Sequence, residues 1–402
     1  MAACTCVARV LAVVVLVTAQ MVVGRNKAAD SATENSNDNE QLRELLGTLE
    51  NYQYMLCYVV GQDTDSDALY EDYFDNYPEP ELVKQGHIKS VANWPKQPLD
   101  IGQVVGLAID GSGRPVLFHR AGREWEANSF DENTNKFQKK GDGAIKDPTV
   151  SILNQTDGRL LKAWGENMFY LPHGLAIDSE GNYWMTDVAL HQVLKFEGVA
   201  TEPSLTLGQA FEPATSNDDK TRFCKPTDVA VASSGEVFVS DGYCNSRIVK
   251  FDKDGKYLGQ MGDGEFNIPH GIALAEDHDI LCVADRENLR VLCLNAGLKH
   301  PERFGEFDRV YSSEVVGPIY GIAYSPKDHL LYAVNGPTTE GQPRVITIDL
   351  TASERSSAIA VWWPDQEGFL SPHDIAVSPD GKTVYVGEVE PHRVWKFDVE
   401  RP

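Results

Sequence analysis

The sequence predicts an all-β protein, a six-bladed β-propeller that follows a variable acidic segment. Three observations lead there. The 402 residues are 42% hydrophobic and include 7 Trp, 15 Tyr and 15 Phe, enough to bury a large core. The 33 Gly and 21 Pro are spread among short Val-rich and aromatic-rich runs, a pattern of strands and turns rather than of a helical bundle or coiled coil. From residue 101 onward one unit recurs six times, and an internal repeat outranks other clues to architecture.

The first element is read as a secretory signal over residues 1–24: Arg9 supplies the basic residue, and Val10 to Val17 form an apolar stretch short for a bilayer span. A short membrane anchor is the alternative, because Met21, Val22 and Val23 extend the apolar run. Residues 25–100 form a variable acidic segment with one helix, marked by Leu42, Leu45, Leu46 and Leu49, and then eight carboxylates between residues 61 and 83. This reads as a solvated linker or pro-segment, with Tyr70, Tyr73 and Tyr77 as candidates for sulfation. The propeller domain is placed at residues 101–402, and no C-terminal anchor is expected after Val394–Val399.

Export suits the cysteines. Cys4 and Cys6 leave with the signal, and two local disulfides, Cys224 with Cys244 and Cys282 with Cys293, fit the separation of facing strands or a strand and its loop. Cys57 is left over. Asn154-Gln-Thr is a glycosylation sequon, or an unmodified loop. A secreted monomer is expected.

The repeats begin at Val105-Gly-Leu-Ala-Ile, His173-Gly-Leu-Ala-Ile, Thr227-Asp-Val-Ala-Val, His270-Gly-Ile-Ala-Leu, Tyr320-Gly-Ile-Ala-Tyr and His373-Asp-Ile-Ala-Val, 43 to 68 residues apart. That spacing holds four short strands per blade. Equivalent positions share a height and a distance from the axis, so His173, His270 and His373, on alternate blades, converge with three-fold geometry. Three neutral imidazoles are the ligand set of an open catalytic zinc site; the competing reading is packing of half-buried histidines.

Fourteen or fifteen residues further on stand His119-Arg120, Asp187-Val188, Asp241-Gly242, Asp285-Arg286, Asn335-Gly336 and Glu388-Val389. The acids and Asn read as scaffold that binds backbone amides. Arg120 and Arg286 fall on opposite blades and suit an anionic substrate group, or else surface salt bridges. Tyr243 precedes Cys244, and a phenol near a cation is a candidate base.

The repeats resemble the NHL type. The strings Phe169-Tyr-Leu-Pro-His-Gly, Gly181-Asn-Tyr-Trp-Met-Thr-Asp-Val-Ala-Leu-His-Gln-Val, Val239-Ser-Asp-Gly-Tyr-Cys-Asn-Ser-Arg-Ile-Val and Cys282-Val-Ala-Asp-Arg-Glu-Asn resemble peptidyl-α-hydroxyglycine α-amidating lyase over residues 101–400. The resemblance implies a lyase that splits peptidyl-α-hydroxyglycine into a peptide amide and glyoxylate. It implies zinc on His173, His270 and His373, Tyr243 as base with Arg120 and Arg286 beside it, and a structural calcium on the backbone carbonyls of Leu107 and Leu175 and the carboxylate of Asp374. Its two disulfides match Cys224 with Cys244 and Cys282 with Cys293. One departure stands out: Ser371 replaces the family's Met in the string before His373.

Acidic residues outnumber basic ones by 24, a field that repels phosphate backbones, so nucleic acid is excluded as a partner. The expected partners are peptides ending in α-hydroxyglycine and, because no monooxygenase module is present, a separate copper-dependent peptidylglycine monooxygenase. A non-catalytic secreted propeller that binds peptides or proteins is the alternative. A calcium-dependent lactonase would need acidic and Asn ligands where this chain carries histidines.

Overall fold

The computed structural model describes residues 88–400, apart from 313–315, 338–340, 353–358 and 366. The expected signal, the helix near Leu42, the acidic run, Cys57 and the candidate sulfotyrosines lie outside the described residues. Among the described residues, no helix is long and apolar enough to cross a membrane.

Six four-stranded antiparallel sheets follow one another along the chain. Blades one to five span residues 104–164, 172–208, 226–261, 269–312 and 319–362, each in simple up-and-down order. Blade six takes its three inner strands from residues 371–399 and its outer strand from β1, Ile88–Ser90, whose Ile88 pairs with Val399. The propeller therefore begins upstream of residue 101, the boundary suggested by the repeats. A three-residue strand carries too little pattern to be seen in sequence, and it is fixed here by pairing across the whole chain.

The core lies between adjacent sheets. Phe118, Phe169, Met185 and Phe196 join blades one and two, and Leu331, Ile346 and Val361 join blade five to Cys282 and Ile280 of blade four. Tyr332, Trp362 and Phe397 seal blades five and six, and Val104, Leu117 and Tyr385 seal the junction of six and one. The inner strands, such as Pro115–His119 and Val237–Asp241, are buried on both faces and read as continuous apolar runs rather than as alternations, whereas outermost strands such as Leu160–Trp164 are largely exposed. Both local disulfides form, with Cys282 and Cys293 directly opposed on neighbouring strands.

The repeat's Gly is a steric requirement. A Cβ on Gly106 would lie 2.9 Å from the carbonyl oxygen of His173, and one on Gly271 would lie 2.7 Å from that of Tyr320. The innermost strands thus approach too closely for a side chain at these positions.

Candidate metal centre

The innermost strand of every blade changes register at the start of the repeat: between Val104 and Gly106, Pro172 and Leu175, Pro226 and Asp228, Pro269 and Ile272, Ile319 and Gly321, and Pro372 and Asp374. A bulge of this kind re-aims a side chain out of the ladder's alternation. Proline precedes it in four blades, where a missing N–H costs no ladder bond. As a result Val105, His173, Thr227, His270, Tyr320 and His373 line one small axial cavity.

The structure brings His173, His270 and His373 together. Their ring centroids lie 4.8, 4.9 and 4.9 Å apart, close to an equilateral triangle, and all three side chains are buried. Each Nδ1 faces a backbone carbonyl of the intervening blade: Thr227 at 2.6 Å, Tyr320 at 2.8 Å and Val105 at 3.1 Å. A carbonyl only accepts, so each Nδ1 carries the proton and each Nε2 keeps a free lone pair. Burial lowers all three pKa values, His373 to about 3 and the others well below the usual histidine range. The trio is therefore neutral at physiological pH, with donor atoms within 4.8 Å of one another, as a metal requires.

Tyr243 enters from the loop after Asp241. Its hydroxyl oxygen lies 2.9 Å from His173 Nε2 and 3.0 Å from His270 Nε2. The Cys224–Cys244 bridge fixes the next residue in the loop, and Trp125 packs on the phenol ring at 4.8 Å. Burial pushes the Tyr243 pKa above its ordinary value, and the Arg286 and Arg120 charges oppose that rise. A bare phenol here is thus harder to ionise than in water, and two guanidiniums hold the increase down.

Both arginines stand beside this phenol, in different settings. Arg120 is buried and donates to the Pro172 carbonyl at 3.1 Å and to Gln103 Oε1 at 2.7 Å. Arg286 lies over the rings of Tyr243 and Tyr320 and also pairs with Glu287 at 2.8 Å, so a salt bridge and a place at the site coexist.

The scaffold residues act on backbone. Asp187 accepts from the amides of Tyr170, Leu171, Ala189 and Leu190, and Glu388 accepts from those of Leu370 and Ser371. Asp241 accepts from the Cys224 amide and pairs with the fully buried Arg247 at 3.0 Å. Ser371 is half-buried and is held through its amide by Glu388, two residues before His373. Asn154 caps an outer turn of blade one, its Oδ1 accepting from the Thr156 amide.

Beside the trio lie two carboxylates. Asp374 accepts from the Leu107 amide at 2.6 Å, and Asp228, on the opposite blade, accepts from the amides of Val229 and Ile272. Burial pushes both pKa values up, and for Asp374 the charge of Asp228 adds to the rise. Leu175 lies against Gly106 in the same ring of strands. This crowding of negative charge suits a hard cation. Asp228 was not singled out in the sequence, yet a signal was present: the repeat's second position reads Gly106, Gly174, Asp228, Gly271, Gly321, Asp374, with acids on opposite blades. The carbonyl roles of Val105, Thr227 and Tyr320 were open to the same comparison. Trp125 was not, because it belongs to an insertion outside the repeat, between Pro115–His119 and Val150–Leu153.

Comparison with known proteins agrees with this architecture. The NHL repeat family matches residues 223–251, 266–294 and 369–397. A gluconolactonase of Xanthomonas campestris superimposes with a TM-score of 0.51 at 13% identity, over 81% of this chain and 99% of that one, a likeness of fold alone. Peptidyl-glycine alpha-amidating monooxygenase B of Xenopus laevis is 40% identical over 79% of this chain, which covers 36% of that longer protein. Peptidyl-alpha-hydroxyglycine alpha-amidating lyase 2 of Drosophila melanogaster is 42% identical over 345 residues, 83% of this chain and 82% of that protein. With so much of both chains matched at this identity, the protein belongs to the peptidyl-α-hydroxyglycine α-amidating lyase family.

Proposed function

We propose that this chain cleaves peptidyl-α-hydroxyglycine to a C-terminally amidated peptide and glyoxylate, the second step of peptide amidation. The observation that carries the reading is the phenol oxygen of Tyr243 within 3.0 Å of two imidazole nitrogens of a buried, neutral three-histidine set. Zinc held by His173, His270 and His373 would, when bound, supply Lewis-acid activation of the substrate hydroxyl.

As the phenolate, whose charge the Arg286 and Arg120 cations favour, Tyr243 accepts the proton from that hydroxyl and becomes the neutral phenol. The carbon–oxygen double bond of glyoxylate forms as the carbon–nitrogen bond breaks, and the departing amide nitrogen takes up a proton from the Tyr243 phenol or from water. Protons and electrons balance without an oxidant. Arg120, the more deeply buried guanidinium, is assigned to the substrate carboxylate, and Arg286, lying over the Tyr243 ring, to lowering the phenol's pKa. Trp125 packs on the Tyr243 ring and Tyr320 lies beneath the Arg286 guanidinium, so two aromatic rings hold the base and the cation that tunes it in place.

Calcium is proposed for the axial carboxylate Asp374 together with the backbone oxygens of Leu107 and Leu175, as a support that relieves the repulsion between Asp374 and Asp228. Residues 1–24 are proposed as a secretory signal, and Asn154 as a glycosylation site of the exported chain. A separate copper-dependent monooxygenase would supply the hydroxylated substrate.

The test is incubation of the purified protein with a short peptide ending in α-hydroxyglycine. Equal yields of glyoxylate and amide, abolished by a chelator and restored by Zn²⁺, are expected. Product only at the spontaneous rate, with metal bound to the trio, would replace the lyase by a peptide-binding propeller.

A further inference from the structure

A second group of metal-ligating side chains stands well away from the reaction site. It lies where the turn after Pro269–Ala275 in blade four meets the turn after Ile319–Ser325 in blade five. From His270 to that turn the strand runs about 15–20 Å, at roughly 3.3 Å per residue, so the group sits toward the other end of the channel.

Three donor atoms converge there. His278 Nε2 is 3.1 Å from His329 Nδ1, His329 Nδ1 is 3.0 Å from Asp277 Oδ2, and Asp277 Oδ2 is 3.8 Å from His278 Nε2. Donors bound tetrahedrally at about 2.0–2.1 Å stand roughly 3.3–3.4 Å apart, close to the mean side of this triangle. The chemistry of the set, two imidazoles and one carboxylate, is that of a borderline-soft divalent transition ion. Tyr324 donates its hydroxyl to the same carboxylate, at 2.9 and 2.8 Å from its two oxygens, as an outer partner that orients a ligating group. The three side chains are 25 to 43% exposed, so an ion has a way in and a fourth position stays open to water.

We propose that Asp277, His278 and His329 form a second transition-metal site, with Zn²⁺ as the fitting ion, which clips blade four to blade five independently of the His173, His270 and His373 centre. The donors come from two blades, so an ion bound there favours the folded ring over any state in which these turns separate.

The test compares zinc content of the full chain with that of His278→Ala/His329→Ala and of Asp277→Asn, each equilibrated in micromolar Zn²⁺ and freed of unbound ion. The wild type should hold one more equivalent than the double variant, and Zn²⁺ should raise its thermal midpoint more. Equal zinc content in all three would overturn the proposal. Anomalous diffraction from wild-type crystals soaked in Zn²⁺ is independent of how the variants fold: a peak among the three donor atoms is expected, and its absence would also overturn the site. Lyase activity should be the same in the double variant and the wild type, which separates this site from the reaction. A variant that lost activity while keeping its zinc would count against the proposal.

Discussion

Replacing Tyr243 with Phe removes one atom from the reaction site and keeps the ring. The lost hydroxyl is the group 2.9 and 3.0 Å from the nitrogens of His173 and His270, while the ring's packing on Trp125 at 4.8 Å persists. The perturbation is therefore the loss of a proton acceptor rather than of shape. A positioned general base contributes about 10²–10⁴-fold, so kcat for glyoxylate release should fall by that factor, about 3–5 kcal/mol in barrier. The hydroxyl's hydrogen bonds are worth about 1 kcal/mol to the fold, so thermal unfolding should change little. Zinc content should be unchanged, because the three imidazoles are oriented through Nδ1 by backbone carbonyls and not by the phenol. The assay is glyoxylate and amide production at saturating peptide, with metal content measured on the same sample. A variant within tenfold of wild type would refute Tyr243 as the base. One that lost metal would refute the view that the change is local.

Two further predictions concern neighbouring charges. Arg286→Ala removes the stronger of the two cations that oppose the burial-driven rise of the Tyr243 pKa, so the phenol titrates higher still and the activity profile should move to higher pH; an unmoved profile would count against this role. Arg247→Met strands the buried Asp241 carboxylate without its guanidinium partner and should cost about 3–5 kcal/mol in urea unfolding, whereas a loss under about 1 kcal/mol would show that the Asn245 and backbone bonds suffice.

The sequence revealed the site through its repeat. Because bulges recur at one position of all six blades, residues far apart in the chain, such as His173 and His373, occupy equivalent places, and their convergence follows from counting. What the count cannot supply is anything carried by a unique segment. Trp125 reaches Tyr243 from an insertion that has no counterpart in the other blades, and Ile88–Ser90 acquires its meaning only by pairing with Arg393–Val399. The pKa of Tyr243 was also beyond reach, since nearby cations argue for lowering it while the depth at which the ring sits decides the opposite. The Asp277, His278 and His329 group depends on two turns meeting across a blade boundary, which no spacing within either turn discloses.

The pairing of Ile88 with Val399 has a consequence in time as well as in space. Among the strands of the propeller, a chain emerging from the ribosome presents this one first and its partner last. Until residue 399 is free, five blades can exist only as an open arc with unpaired edges at both ends, a state exposed to association with other chains. His373 belongs to the final blade, so the three-imidazole set is incomplete for the same period. The final blade must therefore be made and the ring must close before a metal can find all three ligands, which makes loading of the centre a step that follows ring closure.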